Sequence, residues 1–157
     1  MDSLGLRPEC DGWHMASEIF VVAYDGIDRN AVDYAAKRAK ASGASICIAH
    51  VLQWSPYSFL TPEELEERKM RRRQELDRAK TALVDPIVAE LKSAGFNVDS
   101  EIRFGSPTTV ILDIARDKGA CQIFVGRSGK SGIENKIFGS VTLGLAQAAT
   151  IPTVIVP

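Results

Sequence analysis

From residue 18 onward, short apolar runs rich in β-branched residues alternate with longer stretches of helical period. Such alternation is the βαβα signature of a parallel sheet covered by helices. The first run, Ile19 to Ala23, is apolar without a break and predicts a strand buried on both faces. Asp28 is placed to cap a helix whose Ala31, Val32, Ala35, Ala36 and Ala39 share one face, and Gly43 stands where a left-handed stop is expected. A second buried strand is predicted from Ser45 to Leu52.

Trp54 to Pro62 is an aromatic, proline-bearing connection. Glu63 to Arg78 is dense in charge, with Glu64/Arg68 and Glu67/Arg71 one helical turn apart. The helical period continues to Gly95, with Pro86 expected to kink it or restart it behind Asp85 as a cap. Val98 to Phe104 alternates apolar and polar residues, unlike the other runs, and reads as a strand at the sheet edge. Ser106-Pro107 forms the cap and first turn of a third helix carrying Val110, Ile111, Ile114 and Ala115, which Gly119 ends. Cys121 to Val125 is the fourth strand, Ser140 to about Ala149 the last helix, and Thr153 to Val156 the last strand, giving five strands and four helices.

Composition narrows the function more than the fold. The chain has 157 residues, 45% hydrophobic and 25% charged, which fits one globular domain. Its formal net charge of −1 gives no general attraction to nucleic acid or anionic membrane, so a bound anion must be held locally. Arg71-Arg72-Arg73 has acidic neighbours on both sides and reads as a solvated helix face rather than a nucleic-acid patch. Residues 1–17 carry Asp2, Glu9 and Asp11 without a continuous apolar stretch, so neither a signal peptide nor an anchor is expected there. They read as a disordered N-terminal extension, with Met15 a natural start, ahead of a domain over 18–157. No run approaches the roughly 18 apolar residues of a membrane span, and a cytoplasmic location is expected. Cys10, Cys47 and Cys121 are odd in number and far apart, which argues against a disulfide framework or thiolate zinc site. His50, near a strand end, reads as a hydrogen-bonded core residue.

The candidate chemistry lies in Gly126 to Ser140, which joins a buried strand to a helix. Ligands of open α/β sheets bind at this end of the strands. Glycines let the main chain approach a phosphate and aim N–H groups at it, and the helix start adds partial positive charge. Arg127, Lys130 and Lys136 supply charge, and Ser140 a hydroxyl donor. Gly129-Lys130-Ser131 imitates the end of a Walker A loop, but the glycine required five positions earlier is Phe124. Gly126 and Gly129 give G-x-x-G rather than the dinucleotide G-x-G-x-x-G, so NAD and FAD are not expected.

The spacing that fits is G-x2-G-x9-G-S at Gly126, Gly129, Gly139 and Ser140, and with it the chain resembles the universal stress protein family. The resemblance spans 18–157 and includes Tyr24-Asp25-Gly26, His50-Val51, Gly105-Ser106-Pro107 and Pro152 to Val156. It implies a single Rossmann-like α/β domain, an open five-stranded parallel sheet of order 3-2-1-4-5 with helices on both faces, in the ATP-binding branch. By similarity, Asp25 would lie beside the adenosine and Val51 would meet adenine through its main chain. Gly126, Gly129, Gly139 and Ser140 would enclose the phosphates, with Val125 and Val141 adjoining. Mg or Mn would be carried by the phosphates without a protein cage. A homodimer through the last strand and a regulatory protein partner are also implied. The chain departs from the family where many members have a small serine after Asp-Gly, since Ile27 and Asp28 follow here. Tyr24 is large for a residue beside adenine and would either stack on the base or crowd it. The reading is an ATP-binding stress-response regulator, with a slow ATPase, a nucleotidyl-transferring enzyme or a non-binding dimeric scaffold as alternatives.

Overall fold

The protein is described from a computed structural model, which covers residues 17–53, 60–127 and 139–157. The strands are β1 Ile19–Ala23, β2 Ser45–Leu52, β3 Val98–Phe104, β4 Gln122–Gly126 and β5 Thr153–Val156. The helices are α1 Asn30–Ser42, α2 Pro62–Ala79, α3 Asp85–Ser93, α4 Pro107–Lys118 and α5 Ser140–Ala148. All strand pairs are parallel, in the order β3-β2-β1-β4-β5. The expected open five-stranded α/β sheet is therefore the fold. Among the described residues no helix is long and apolar enough to cross a membrane.

Period-two alternation splits the buried strands between two core layers. Phe20 and Val22 of β1, Ile46 and Ile48 of β2 and Phe124 of β4 face one layer, closed by Val32 of α1 and Ile87 and Leu91 of α3. Val21, Cys47, Ile123 and Val125 face the other, closed by Ile114 of α4 and Leu145 of α5. Phe124 is fully buried, with its ring centroid 5.0 Å from that of Phe20. Fully burying a side chain of this size contributes about 1.5–3 kcal/mol, so unbroken apolarity in β1 and β4 is what a two-faced strand requires.

Helix ends follow local chemistry in most places. Gly43 closes α1 at φ 77°, its N–H donating to the Ala39 carbonyl. Thr61 and Glu64 form a reciprocal capping box at the start of α2. Two expectations are corrected. Asp85 does not cap a restarted helix, because Lys80–Val84 winds as a π turn and Val84 takes the N-cap position. A proline has no N–H and crowds the carbonyl four residues back, and a wide turn relieves both faults at Pro86. The Asp85 carboxylate instead pairs with Lys80 at 2.9 Å. Ser106 holds the N-cap position of α4 but makes no side-chain cap bond.

The two sheet edges differ. On β3, Arg103 pairs with Asp117 of α4 at 2.9 Å, and Lys118 of α4 bridges Asp99 and Glu101. Charges along an edge strand resist pairing with another chain. The β5 edge, Thr-Val-Ile-Val, carries no such charge.

Candidate functional site

In a parallel sheet every strand ends at the same side, and the chain must cross over somewhere to build both halves. Here the crossing separates β1 from β4, so the connections after them diverge and leave a crevice. A cleft of about 550 Å³ opens there, above the carboxyl ends of β1, β2 and β4. That volume lies within the roughly 300–1,000 Å³ of small-molecule sites. Ala23, Ala49, Val51, Ile111, Val125 and Val141 give it apolar walls.

The turn after β1 supplies one polar end. Asp25 Oδ1 accepts the N–H groups of Ile27 at 2.8 Å and Asp28 at 2.9 Å. Gly26 sits at φ 93°, a backbone conformation that favours glycine, and a Cβ there would also press on Leu83 Cδ1 at 3.0 Å. Asp28 Oδ1 accepts the Asn30 N–H at 2.9 Å, but the N-cap position is Arg29 and has no side-chain cap bond, so Asp28 sits one residue ahead of the capping position expected of it. His50 is 6% exposed, and its Nδ1 lies 2.7 Å from the Tyr24 carbonyl oxygen, tying the end of β2 to this turn. Tyr24 is buried in the first core layer and also lines the cleft. Burial, with help from Asp25, pushes the Tyr24 hydroxyl above its ordinary pKa, so it stays neutral. Ile27 points to solvent at 66% exposure.

The start of α5 supplies the other end. Its N-cap is Gly139, which has no side chain to satisfy the first turn, and the first helical bond is Leu143 N–H to Gly139 O at 3.0 Å. The N–H groups of Ser140, Val141 and Thr142 thus precede the helical ladder and carry the positive end of the helix dipole. Three contacts hold α5 in place against β4, the residue that follows β4, and α4. Thr142 Oγ1 donates to the Gly126 carbonyl at 2.8 Å. The Gly139 N–H donates to Arg127 O at 3.2 Å, so the two described ends of the glycine-rich segment meet. A Cβ on Gly144 would fall 2.6 Å from Thr108 Oγ1, so glycine there lets α5 lie close on α4.

Of the sequence-predicted site residues, Asp25, Val51, Val125, Gly126, Gly139, Ser140 and Val141 all line the cleft. Arg127 is exposed and does not. Gly129 and Lys130 lie outside the described residues. Sequence reasoning missed Thr142, a polar residue on an apolar helix face, and read Asp28 as a cap and as a departure from the family at this corner, not as a lining residue. Pro107 and Ile111 also reach the cleft, and the only signal for them was the Gly105-Ser106-Pro107 start of α4.

The electrostatics of the cleft are lopsided. Its described lining holds the carboxylates Asp25 and Asp28 and no lysine or arginine. The nearby Arg29 is committed elsewhere, Nη1 and Nη2 donating to Glu90 at 2.9 and 2.7 Å. That bidentate bond holds the Glu90 carboxyl below its usual range. Among the described residues no group of three His, Cys, Asp or Glu side chains is gathered for a metal ion. Cys47 is fully buried, and burial pushes its thiol up to about 12.

An apolar cleft at the switch point, with the N-terminus of α5 at one end and a carboxylate turn at the other, gives a doubly wound α/β domain a candidate ligand site. The sequence model of the Universal stress protein family matches residues 17–157, and the chain belongs to that family. It is 30% identical over 145 residues to universal stress protein YxiE of Bacillus subtilis, covering 87% of this chain and 96% of that protein. The structure of universal stress protein UspA from Lactobacillus plantarum superposes with a TM-score of 0.76 at 22% identity, over 89% of this chain and 97% of that one. A universal stress protein solved in complex with cAMP superposes with a TM-score of 0.60 at 25% identity, over 89% of this chain and 97% of that one.

Thr142→Val removes the tie between α5 and β4 at nearly constant volume. Chemical denaturation is expected to show a loss of about 1 kcal/mol. An unchanged midpoint would remove this contact from the support of the cleft.

Proposed function

We propose that the protein is an ATP-binding regulator whose nucleotide occupies the cleft, with adenosine toward Asp25 and Val51 and phosphates toward Gly126, Gly139 and Ser140. One observation carries this reading: the side-chain-free N-terminus of α5 opens into an apolar cleft of nucleotide size at the switch point. Oriented N–H groups with the positive end of a helix dipole are a ready anion site. The cAMP complex of a relative supports an adenine nucleotide. Mg or Mn would arrive on the phosphates, where it offsets their charge and that of Asp25 and Asp28. The assigned cytoplasmic role is to signal occupancy to a regulatory protein partner.

The described lining argues for binding over turnover. Asp25 spends Oδ1 on two backbone N–H groups and so serves first as a turn anchor. His50 has Nδ1 engaged by the Tyr24 carbonyl. ATP turnover is expected well below about 1 per second.

Calorimetric titration with Mg-ATP, beside a phosphate-release assay, tests the reading. In Gly126→Val the new Cβ would stand 3.3 Å from Asp28 Oδ2, filling the gap where phosphates approach the main chain. Losing two or three charged hydrogen bonds, at roughly 1.5–3 kcal/mol each, weakens binding on the order of a thousandfold. A thermal melt checks that the variant folds. Equal affinity for Mg-ATP in the folded variant and the parent would remove the phosphates from this end of the cleft, and robust hydrolysis abolished by Asp25→Asn would establish an enzyme.

Assembly is the second part of the proposal. The β5 edge is apolar, whereas the β3 edge is guarded by ion pairs, so a two-fold homodimer is assigned to β5 and its flanks. Sedimentation at micromolar concentration is expected to give a dimer, shifted to monomer by Val154→Lys. A monomeric parent would contradict the assignment.

A further inference from the structure

Asp28 occupies a place in the cleft that the capping role expected of it does not explain. Its two backbone-linked hydrogen bonds, N–H to Asp25 Oδ1 and Oδ1 from the Asn30 N–H, fix the half-buried side chain at the edge of the cleft. Its other oxygen, Oδ2, then lies 3.3 Å from where a Cβ on Gly126 would stand. Gly126 is the last residue of β4 and is tied through Thr142 to the first turn of α5. A carboxylate therefore overhangs the same junction whose N–H groups attract an anion. No lysine or arginine among the described lining residues offsets it, and Arg29, the nearest cation in sequence, is held by Glu90 and Asp33.

Two opposed electrostatic elements at one junction make a filter. The helix N-terminus favours a phosphate, while Asp28 penalises each negative charge that no cation neutralises. We infer that Asp28 is a specificity-determining residue, one that makes the cleft discriminate against nucleotides whose phosphate charge is not compensated by a divalent cation. This rests on the nucleotide reading above and sharpens its substrate class. The accepted ligands are metal-complexed polyphosphates and nucleotides of low phosphate charge, and metal-free ATP is rejected. The filter is built into this chain's own turn, Asp25-Gly26-Ile27-Asp28.

The test is a charge series. Adenosine, AMP and ATP are titrated calorimetrically into the full chain and into Asp28→Asn, each with Mg and with chelator. The amide keeps an Oδ1 for the Asn30 N–H, and Asp28→Ser, with its own hydroxyl acceptor, serves as a second variant if the first does not fold. The ratio of metal-free ATP affinity to adenosine affinity is expected to rise on the order of tenfold in the variants, with AMP intermediate and the shift smaller at high salt. A loss of packing would weaken all three ligands together and would not sort them by charge. If adenosine binds the parent but the ratio stays constant or falls, Asp28 is not a charge filter, and a fall confined to Mg-ATP would make it a cation ligand instead. Absence of binding by every ligand to the parent would overturn the nucleotide reading and this inference together.

Discussion

The site depends on one constraint, that a parallel sheet buried on both faces must be covered by helices on both sides. β1 and β4 are apolar at every interior position, so neither face tolerates water. The chain meets this by building β1, β2 and β3 outward under α1 and α3, then crossing to lay down β4 and β5 with α4 and α5 on the opposite face. The crossing leaves the connections after β1 and β4 diverging, and the cleft is the space between them. Each polar group that matters there sits at the end of a rigid element, where the sheet register sets its position.

Within that cleft the chain balances opposite needs. The start of α5 gathers N–H groups that have no side-chain cap from Gly139. Thr142 and Gly144 hold this end against β4 and α4, through a hydrogen bond in the first case and the absence of a side chain in the second. Opposite, Asp25 uses one oxygen to fold its own turn, and Asp28 hangs over Gly126. Net charge near zero hides this polarity, because the positive element is backbone and the negative one is two side chains.

Features decided by a few adjacent residues were legible in the sequence. The apolar runs of β1, β2 and β5 needed no tertiary knowledge, nor did the stops at Gly43 and Gly119, both left-handed in the structure. The cleft wall at Val51, Val125 and Val141 followed from the family resemblance carried by Gly126, Gly139 and Ser140. What escaped depends on contacts between elements. The π turn before Pro86 relieves a backbone conflict that admits several solutions, and α3 selects one by packing Ile87 and Leu91 into the core. Thr142 finds Gly126 sixteen positions earlier. Asp28 carried a complete local explanation as a cap, and only the sheet order brings it over Gly126.

Amide hydrogen exchange with and without Mg-ATP tests the central claim most directly, because it reads the position of the ligand along the chain. The account requires slower exchange in two separated stretches, the turn from Asp25 to Asn30 and the start of α5 from Ser140 to Leu143. The β3 edge and the last turn of α4 should not change. Saturating nucleotide that protects neither stretch, or protects the β3 edge instead, would contradict a nucleotide cleft at the switch point.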